Sequence, residues 1–147
     1  MKKTDLSKEP PRSPKVRIRD YAILARAIDK CRAEIANTAG EYHYACPLDQ
    51  TLFTFKGITA DEFLAQVQKG RSDEELALWV DSHGLDKTPE EIIAWSDSME
   101  GYSLYSNLEK RASFAADCER LGLNPAKTTL FEWLEADDQA SFPAQAA

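Results

Sequence analysis

With 147 residues, 43% of them hydrophobic and 10% aromatic, the chain has the length and apolar content of one globular domain, which excludes wholesale disorder. No apolar run approaches the roughly 20 residues that span a bilayer, so no membrane partner is expected. The net charge of −7 is unevenly spread: residues 1–19 carry +5 and the remainder carries −12.

The opening MKKTDLSKEPPRSP has basic residues but no apolar segment behind them, so no secretory signal is expected. Pro10, Pro11 and Pro14 exclude helix and favour an extended, basic, Pro-rich arm over residues 1–18. A basic arm on an acidic body has two readings. It is a nucleic-acid tether, or it folds back onto its own body. The second is the expected one, because the body repels phosphate and no Lys/Arg stripe with aromatics continues past the arm.

A helical domain is expected over 19–138. From Asp20 to about Thr38, Tyr21, Leu24, Ile28, Cys31 and Ile35 recur at helical spacing, and Gly40 is a stop signal. Cys31 lies on that stripe and reads as a small core residue. Arg26 and Lys30 point away from it, and Asp29 and Arg32 are spaced to pair with each other. Next comes GEYHYACPLD, residues 40–49, where the pattern lapses. Pro47 suits a helix start and Leu48, Leu52 and Phe55 have helical spacing, so a short helix over 47–55 is expected; a hairpin is the alternative for 40–56.

Three helix starts follow with explicit grammar. Thr59 with Glu62, Ser72 with Glu75, and Thr88 with Glu91 are capping boxes, and Pro89 takes a first helical position. They predict helices over 60–69, 73–83 and 89–99, ended by Gly70, Gly84 and Gly101. RSDEELALWVDS aligns with KTPEEIIAWSDS at an offset of 16, a likeness that shared capping boxes and an amphipathic face produce unaided. A further helix is expected over 103–121 with Leu104, Leu108, Ala115 and Cys118 inward, then an amphipathic TTLFEWLEADD, then a frayed tail over 139–147. The fold class is therefore all-α, a bundle of six or seven short helices.

The ordered set DLSKEPPRSP, LARAIDKCRA, GEYHYACPLDQ, FKGITADEF, SDEELALWV, PEEIIAW and TLFEWLEADD resembles an uncharacterised bacterial family, a domain of unknown function of about this length. The likeness spans residues 4–138. Ala25 departs from that family's pattern, which often has Pro there. The resemblance implies a single-domain bacterial protein of the cytoplasm and supplies no activity.

Candidate chemistry concentrates at Tyr42, His43, Tyr44, Cys46 and Asp49. A cysteine becomes a nucleophile beside a base or at a helix N-terminus. Cys46 precedes Pro47, His43 can reach it if the backbone turns, and Asp49 can orient the imidazole. The bland reading is aromatic packing, a buried thiol and a satisfied histidine, and it is the preferred one. A non-catalytic binding site lies between the two. His83, in a last helical turn, reads as a carbonyl cap. The run Glu132, Glu135, Asp137, Asp138 lacks the spacing of a calcium loop and reads as a solvated face, or as a partner for Arg12 or Arg17 of the arm. Trp79, Trp95 and Trp133 read as core anchors.

Cys31, Cys46 and Cys118 are odd in number and widely spaced, so reduced thiols are expected and no structural zinc. Two histidines exclude a multi-histidine metal centre, and no phosphate-cradling glycine loop, GxSxG or HExxH motif is present. No cofactor is indicated. The leading functional expectation is a protein-interaction or regulatory module, with a protein partner or self-association. A small enzyme or ligand-binding protein with a pocket around Tyr42–Asp49 is the alternative, and nucleic-acid binding through the arm a further one.

Overall fold

LARAIDKCRAEI forms the first helix, α1 (Leu24–Ile35), in the structure, a computed structural model that describes residues 5–142. From Leu24 to Cys31 every residue of α1 is buried. The helix is amphipathic, with Leu24, Ile28 and Cys31 on its apolar face, and it packs against three others: α2 (Pro47–Lys56), α3 (Ala60–Gln68) and α4 (Asp73–Ser82). Helix α5 (Pro89–Gly101) packs on α7 (Leu130–Ser141), and α6 (Arg111–Arg120) stacks on single 3₁₀ turns at Leu104–Ser106 and Pro125–Lys127. The described residues contain these seven α-helices and no strand, so the fold is all-α as the pattern predicted. None of the helices is long and apolar enough to cross a membrane.

The capping boxes form as read. Thr59, Ser72 and Thr88 each accept from the backbone N–H three residues on, and Glu62, Glu75 and Glu91 reach back to the cap. Thr129 and Glu132 make a fourth box at the start of α7. The short helix expected over 47–55 forms as α2, led in by the irregular segment 40–46, and the hairpin does not form.

Four expectations are corrected. Helix α1 starts at Leu24 and not at Asp20, because Arg19, Asp20 and Ile23 hold left-handed φ values of 48°, 70° and 74°. Ser96 of α5 fixes this bend: its Oγ accepts from Ala22 N–H at 2.9 Å and donates to the Asp20 carbonyl at 2.7 Å. Residues 103–110 do not continue the helix expected over 103–121. Ser103 accepts from Tyr105 N–H and donates to the Thr128 carbonyl, and Asn107 Oδ1 accepts from Glu109 N–H. Such local caps compete with the helical ladder, and Leu108, expected inward, is 80% exposed. Gly101 lies inside α5, and Gly122, with φ 75°, follows α6. The tail expected to fray from 139 is helical to Ser141, while residues 143–147 lie outside the described residues.

The N-terminal segment turns at 6–9 and 14–15, so its course is not simply extended. Leu6, Pro11 and Pro14 are buried. Backbone bonds tie it down, from Leu6 N–H to the Thr38 carbonyl at 2.8 Å and from Ile23 N–H to the Pro14 carbonyl at 3.0 Å. Its cations meet the acidic body. Arg12 bonds Asp29 and Asp73, Lys15 bonds Glu135, Arg17 bonds Asp97, and Arg19 bonds Glu74. The expected Asp29–Arg32 pair is absent: Asp29 takes Arg12, and Arg32 takes Asp73 at 2.9 Å.

Three predictions follow from this packing. Burial pushes the Asp73 carboxyl up, but the Arg12 and Arg32 guanidiniums outweigh it, so its pKa lies below the ordinary carboxylate value. Glu75, Glu91 and Glu132 are lowered as well, chiefly by their bonds to the cap N–H groups. A carboxylate with a lowered folded-state pKa stabilises the fold above its unfolded pKa, and that contribution is lost as pH falls through the folded value. Helical circular dichroism is therefore expected to hold at neutral pH and to fall below about pH 4. Arg12→Ala, which strands Asp29, is expected to cost about 2–3 kcal/mol in urea unfolding at pH 7 and to flatten the acid transition; equal acid sensitivity in the variant would assign the transition elsewhere. Gly84 has φ 71°, and a Cβ there would lie 1.9 Å from the Lys56 carbonyl oxygen. Gly84→Ala is expected to destabilise by more than about 2 kcal/mol, through left-handed strain and overpacking, read as a drop in urea midpoint at constant m.

Candidate functional site

The GEYHYACPLD loop owes its course to two close approaches. Gly40 holds φ 58°, and a Cβ on it would sit 2.7 Å from the Leu6 carbonyl, so the arm lies directly on the loop. Ala45 holds φ 63°, and its N–H donates to Asp49 Oδ2 at 2.9 Å. Asp49 thus caps the entry to α2 from inside the protein, where it is 0% exposed. Cys46 is the N-cap residue of α2 and Pro47 its first helical residue.

Beneath the loop, α1 presents Arg26 and Lys30, each only 3% exposed. The helical pattern had pointed them away from the core. They do leave the apolar stripe, but other segments cover that face and bury them. A buried charge requires a partner, and each has one. Arg26 donates to Asp138 of α7 at 2.8 Å. Lys30 Nζ lies 3.0 Å from Asp49 Oδ2 and 3.0 Å from Cys46 Sγ. Tyr42 joins the first pair: its hydroxyl donates to Asp138 Oδ1 at 2.7 Å, and the Arg26 guanidinium lies 5.6 Å from its ring centre. Burial first, and then the Asp138 carboxylate, push the Tyr42 pKa up, so the hydroxyl is a fixed donor.

These groups line a cleft of about 780 Å³ between the loop, α1, the ends of α2 and α5, and α7. Its apolar walls include Leu6, Leu48, Met99, Leu130, Leu134 and Phe142, and its charged lining comprises Arg26, Lys30 and Lys110 against Glu41, Asp137 and Asp138. Three of the five residues singled out in the sequence, Tyr42, His43 and Cys46, line the cleft. Asp49 lies behind Lys30. Tyr44 turns into the core, where its ring meets Phe53 and Phe63 and its hydroxyl donates to the Ala60 carbonyl at 2.7 Å.

The cysteine–histidine–aspartate arrangement does not assemble. His43 is exposed and makes no hydrogen bond to Cys46, and Asp49 is held by Lys30 and Ala45. Lysine occupies the position beside sulfur that the sequence reading assigned to histidine. Cys31, read as core, is buried, and burial pushes its thiol up to about 12. Among the described residues no group of three His, Cys, Asp or Glu side chains is placed to hold a metal ion. The acidic run of α7 is committed to other partners. Glu132 caps its own helix, Glu135 meets Lys15, Asp137 meets Arg120 and Asp138 meets Arg26. His83 Nδ1 lies 2.8 Å from the Trp79 carbonyl oxygen, the capping position read for it. Sequence reasoning missed Lys30, Arg26 and Asp138 as site residues, because all three read as charges on solvent-facing surfaces and nothing local marks their burial.

A family model described as a domain of unknown function (DUF5069) matches residues 8–140, and the chain belongs to that family. No curated protein matches it. Membership agrees with the resemblance read from the ordered motifs and brings no established activity.

The Lys30–Asp49 pair sets a test of the site's construction. Breaking a buried pair from one side is expected to cost about 3–5 kcal/mol, because a charge is left unpaired. Lys30→Met should therefore destabilise strongly, and adding Asp49→Asn should recover much of the loss. A double variant no more stable than Lys30→Met would show that the two charges are not coupled.

Proposed function

We propose that the protein binds a small organic molecule in the cleft between the 40–46 loop and α7. The observation that carries this reading is the combination of an apolar cleft of about 780 Å³ with two buried, fully paired cations in its lining. Small-molecule sites typically enclose roughly 300–1,000 Å³, with mostly apolar walls and a few fixed polar groups. The charges favour a particular ligand class. Three cations and three carboxylates line the cleft, so it offers no net positive field for a polyanion such as a nucleotide. A neutral or zwitterionic molecule with an apolar body fits better, its polar group meeting Tyr42, Lys30 and Arg26.

The other readings find less support. An interaction module calls for a contiguous exposed apolar face. The exposed large apolar side chains come from many different segments: Val16 on the N-terminal segment, Ile35 at the end of α1, Leu78 on α4, Leu85 between α4 and α5, Ile93 on α5, Tyr102 after it and Leu108 before α6. Nucleic-acid binding calls for free cations on the N-terminal segment; among its described cations Arg12, Lys15, Arg17 and Arg19 are spent on carboxylates of the body, and Lys8 lies beside Asp5.

A thermal-shift screen over neutral and zwitterionic metabolites tests the proposal, since a ligand that binds only the folded state raises the melting temperature. At 100 times its Kd a ligand adds about 2.7 kcal/mol, a shift of several degrees for a domain of this size. Leu134→Trp, which fills the cleft, is expected to abolish the shift. A hit that stabilises this variant equally binds elsewhere, and a broad screen without hits would count against the reading.

A further inference from the structure

Of the three thiols, Cys46 alone is reachable: it is half-buried and lines the cleft, while Cys31 and Cys118 are buried. Reactive cysteines sit in electropositive, partly exposed surroundings, and buried ones are inert. Two further observations make Cys46 more than an isolated thiol. The Lys30 amino group stands 3.0 Å from its sulfur and comes from a different helix. Asp49, 0% exposed and 3.0 Å from that same amino group, has one carboxylate oxygen, Oδ1, with no hydrogen-bond partner. A nitrogen nucleophile, an accessible sulfur and an idle proton acceptor are thus gathered at one point.

We propose that Cys46 is a peroxide-oxidation site whose sulfenic acid is captured by Lys30 as a sulfenamide, cross-linking α1 to the start of α2. In the first step sulfur attacks one oxygen of hydrogen peroxide. The S–O bond forms, the O–O bond breaks, and the thiol proton leaves with the departing oxygen as water. Sulfur is oxidised by two electrons and peroxide is reduced. Next, the Lys30 ammonium passes a proton to the Asp49 carboxylate across the 3.0 Å contact with Oδ2. The neutral amine attacks sulfur, the S–N bond forms and the S–O bond breaks, and the hydroxyl leaves as a second water with another proton from nitrogen. This second stage involves no further electron transfer. Sulfenic acids undergo the same condensation with backbone nitrogen. The amine already touches the sulfur, so capture competes with further oxidation. An external thiol reverses the link, returning the amine, and with it the Lys30–Asp49 pair. The inference needs the cleft only as the path by which peroxide reaches sulfur, and stands independently of any ligand bound there.

The test uses the full chain, reduced and then treated briefly with a small excess of hydrogen peroxide. The intact mass is expected to fall by about 2 Da, the loss of two hydrogens on forming the S–N bond. Tryptic cleavage after Lys30 should be lost, a peptide joining Lys30 to Cys46 should appear, and dithiothreitol should restore the starting material. Cys46→Ser, which keeps an acceptor for Lys30, is expected to retain its mass under the same treatment. Recovery of Cys46 as sulfinic or sulfonic acid without a link to Lys30 would overturn the proposal. So would a Cys31–Cys46 disulfide, or the same mass loss in Cys46→Ser.

Discussion

Helix α1 takes three charges into the interior, at Arg26, Asp29 and Lys30, and each is satisfied by a different part of the chain. Arg26 is met by Asp138 from α7, Asp29 by Arg12 from the N-terminal segment, and Lys30 by Asp49 from α2. Burying an unpaired charge costs several kcal/mol after relaxation, so these three segments must arrive together. The apolar neighbours on α1 supply the drive: a fully buried Leu or Ile side chain contributes about 1.5–3 kcal/mol. Against a well-packed apolar replacement a buried ion pair adds little net stability. In this fold burial supplies the energy, while the charges restrict which segments can cover α1.

The cleft is a consequence of that restriction. Arg26 and Lys30 are one helical turn apart on α1, so their partners approach the same face from two directions, α7 on one side and the start of α2 on the other. The 40–46 loop joins them, pinned by Tyr42 on Asp138 and by Ala45 N–H on Asp49. Between these anchors Leu48, Leu130 and Leu134 line the cleft. The polar groups at the base are held by packing and by one another, the preorganisation that a specific site requires. The contact between Lys30 and Cys46 belongs to the same arrangement, because the buried ammonium takes the sulfur as a further acceptor.

Interactions between neighbours in the chain were readable directly. The capping boxes at Thr59, Ser72 and Thr88, Pro47 and Pro89 at helix starts, and Cys31 on an apolar stripe all depend on residues within one or two turns. Where the helical period misleads, competing interactions are present. Ser103 and Asn107 compete with the helical ladder through their own side chains, which is why no helix runs from 103 to 110. Asp29 and Arg32 have the spacing of a helical pair, yet each finds a better partner at long range, Arg12 and Asp73. The GEYHYACPLD loop drew attention because the helical grammar lapses there, and it does form a wall of the cleft. The cysteine–histidine–aspartate alternative weighed for it is not assembled, since His43 is exposed and the group beside Cys46 comes from α1.

The sequence by itself determined an all-α chain, the starts of its capped helices and the excess of cations on its first residues. Each of these follows from local hydrogen bonding, apolar period or composition. Only the tertiary structure decided that α1 is enclosed on every side, that Arg26 and Lys30 are buried, and that Lys30 rather than His43 meets Cys46. The physical reason is that a helical pattern tells which residues share a face, and not what covers that face. Residues 26, 30, 46, 49 and 138 carry no local signal of one another; long-range packing around α1 brings them together, and its burial obliges their charges to pair.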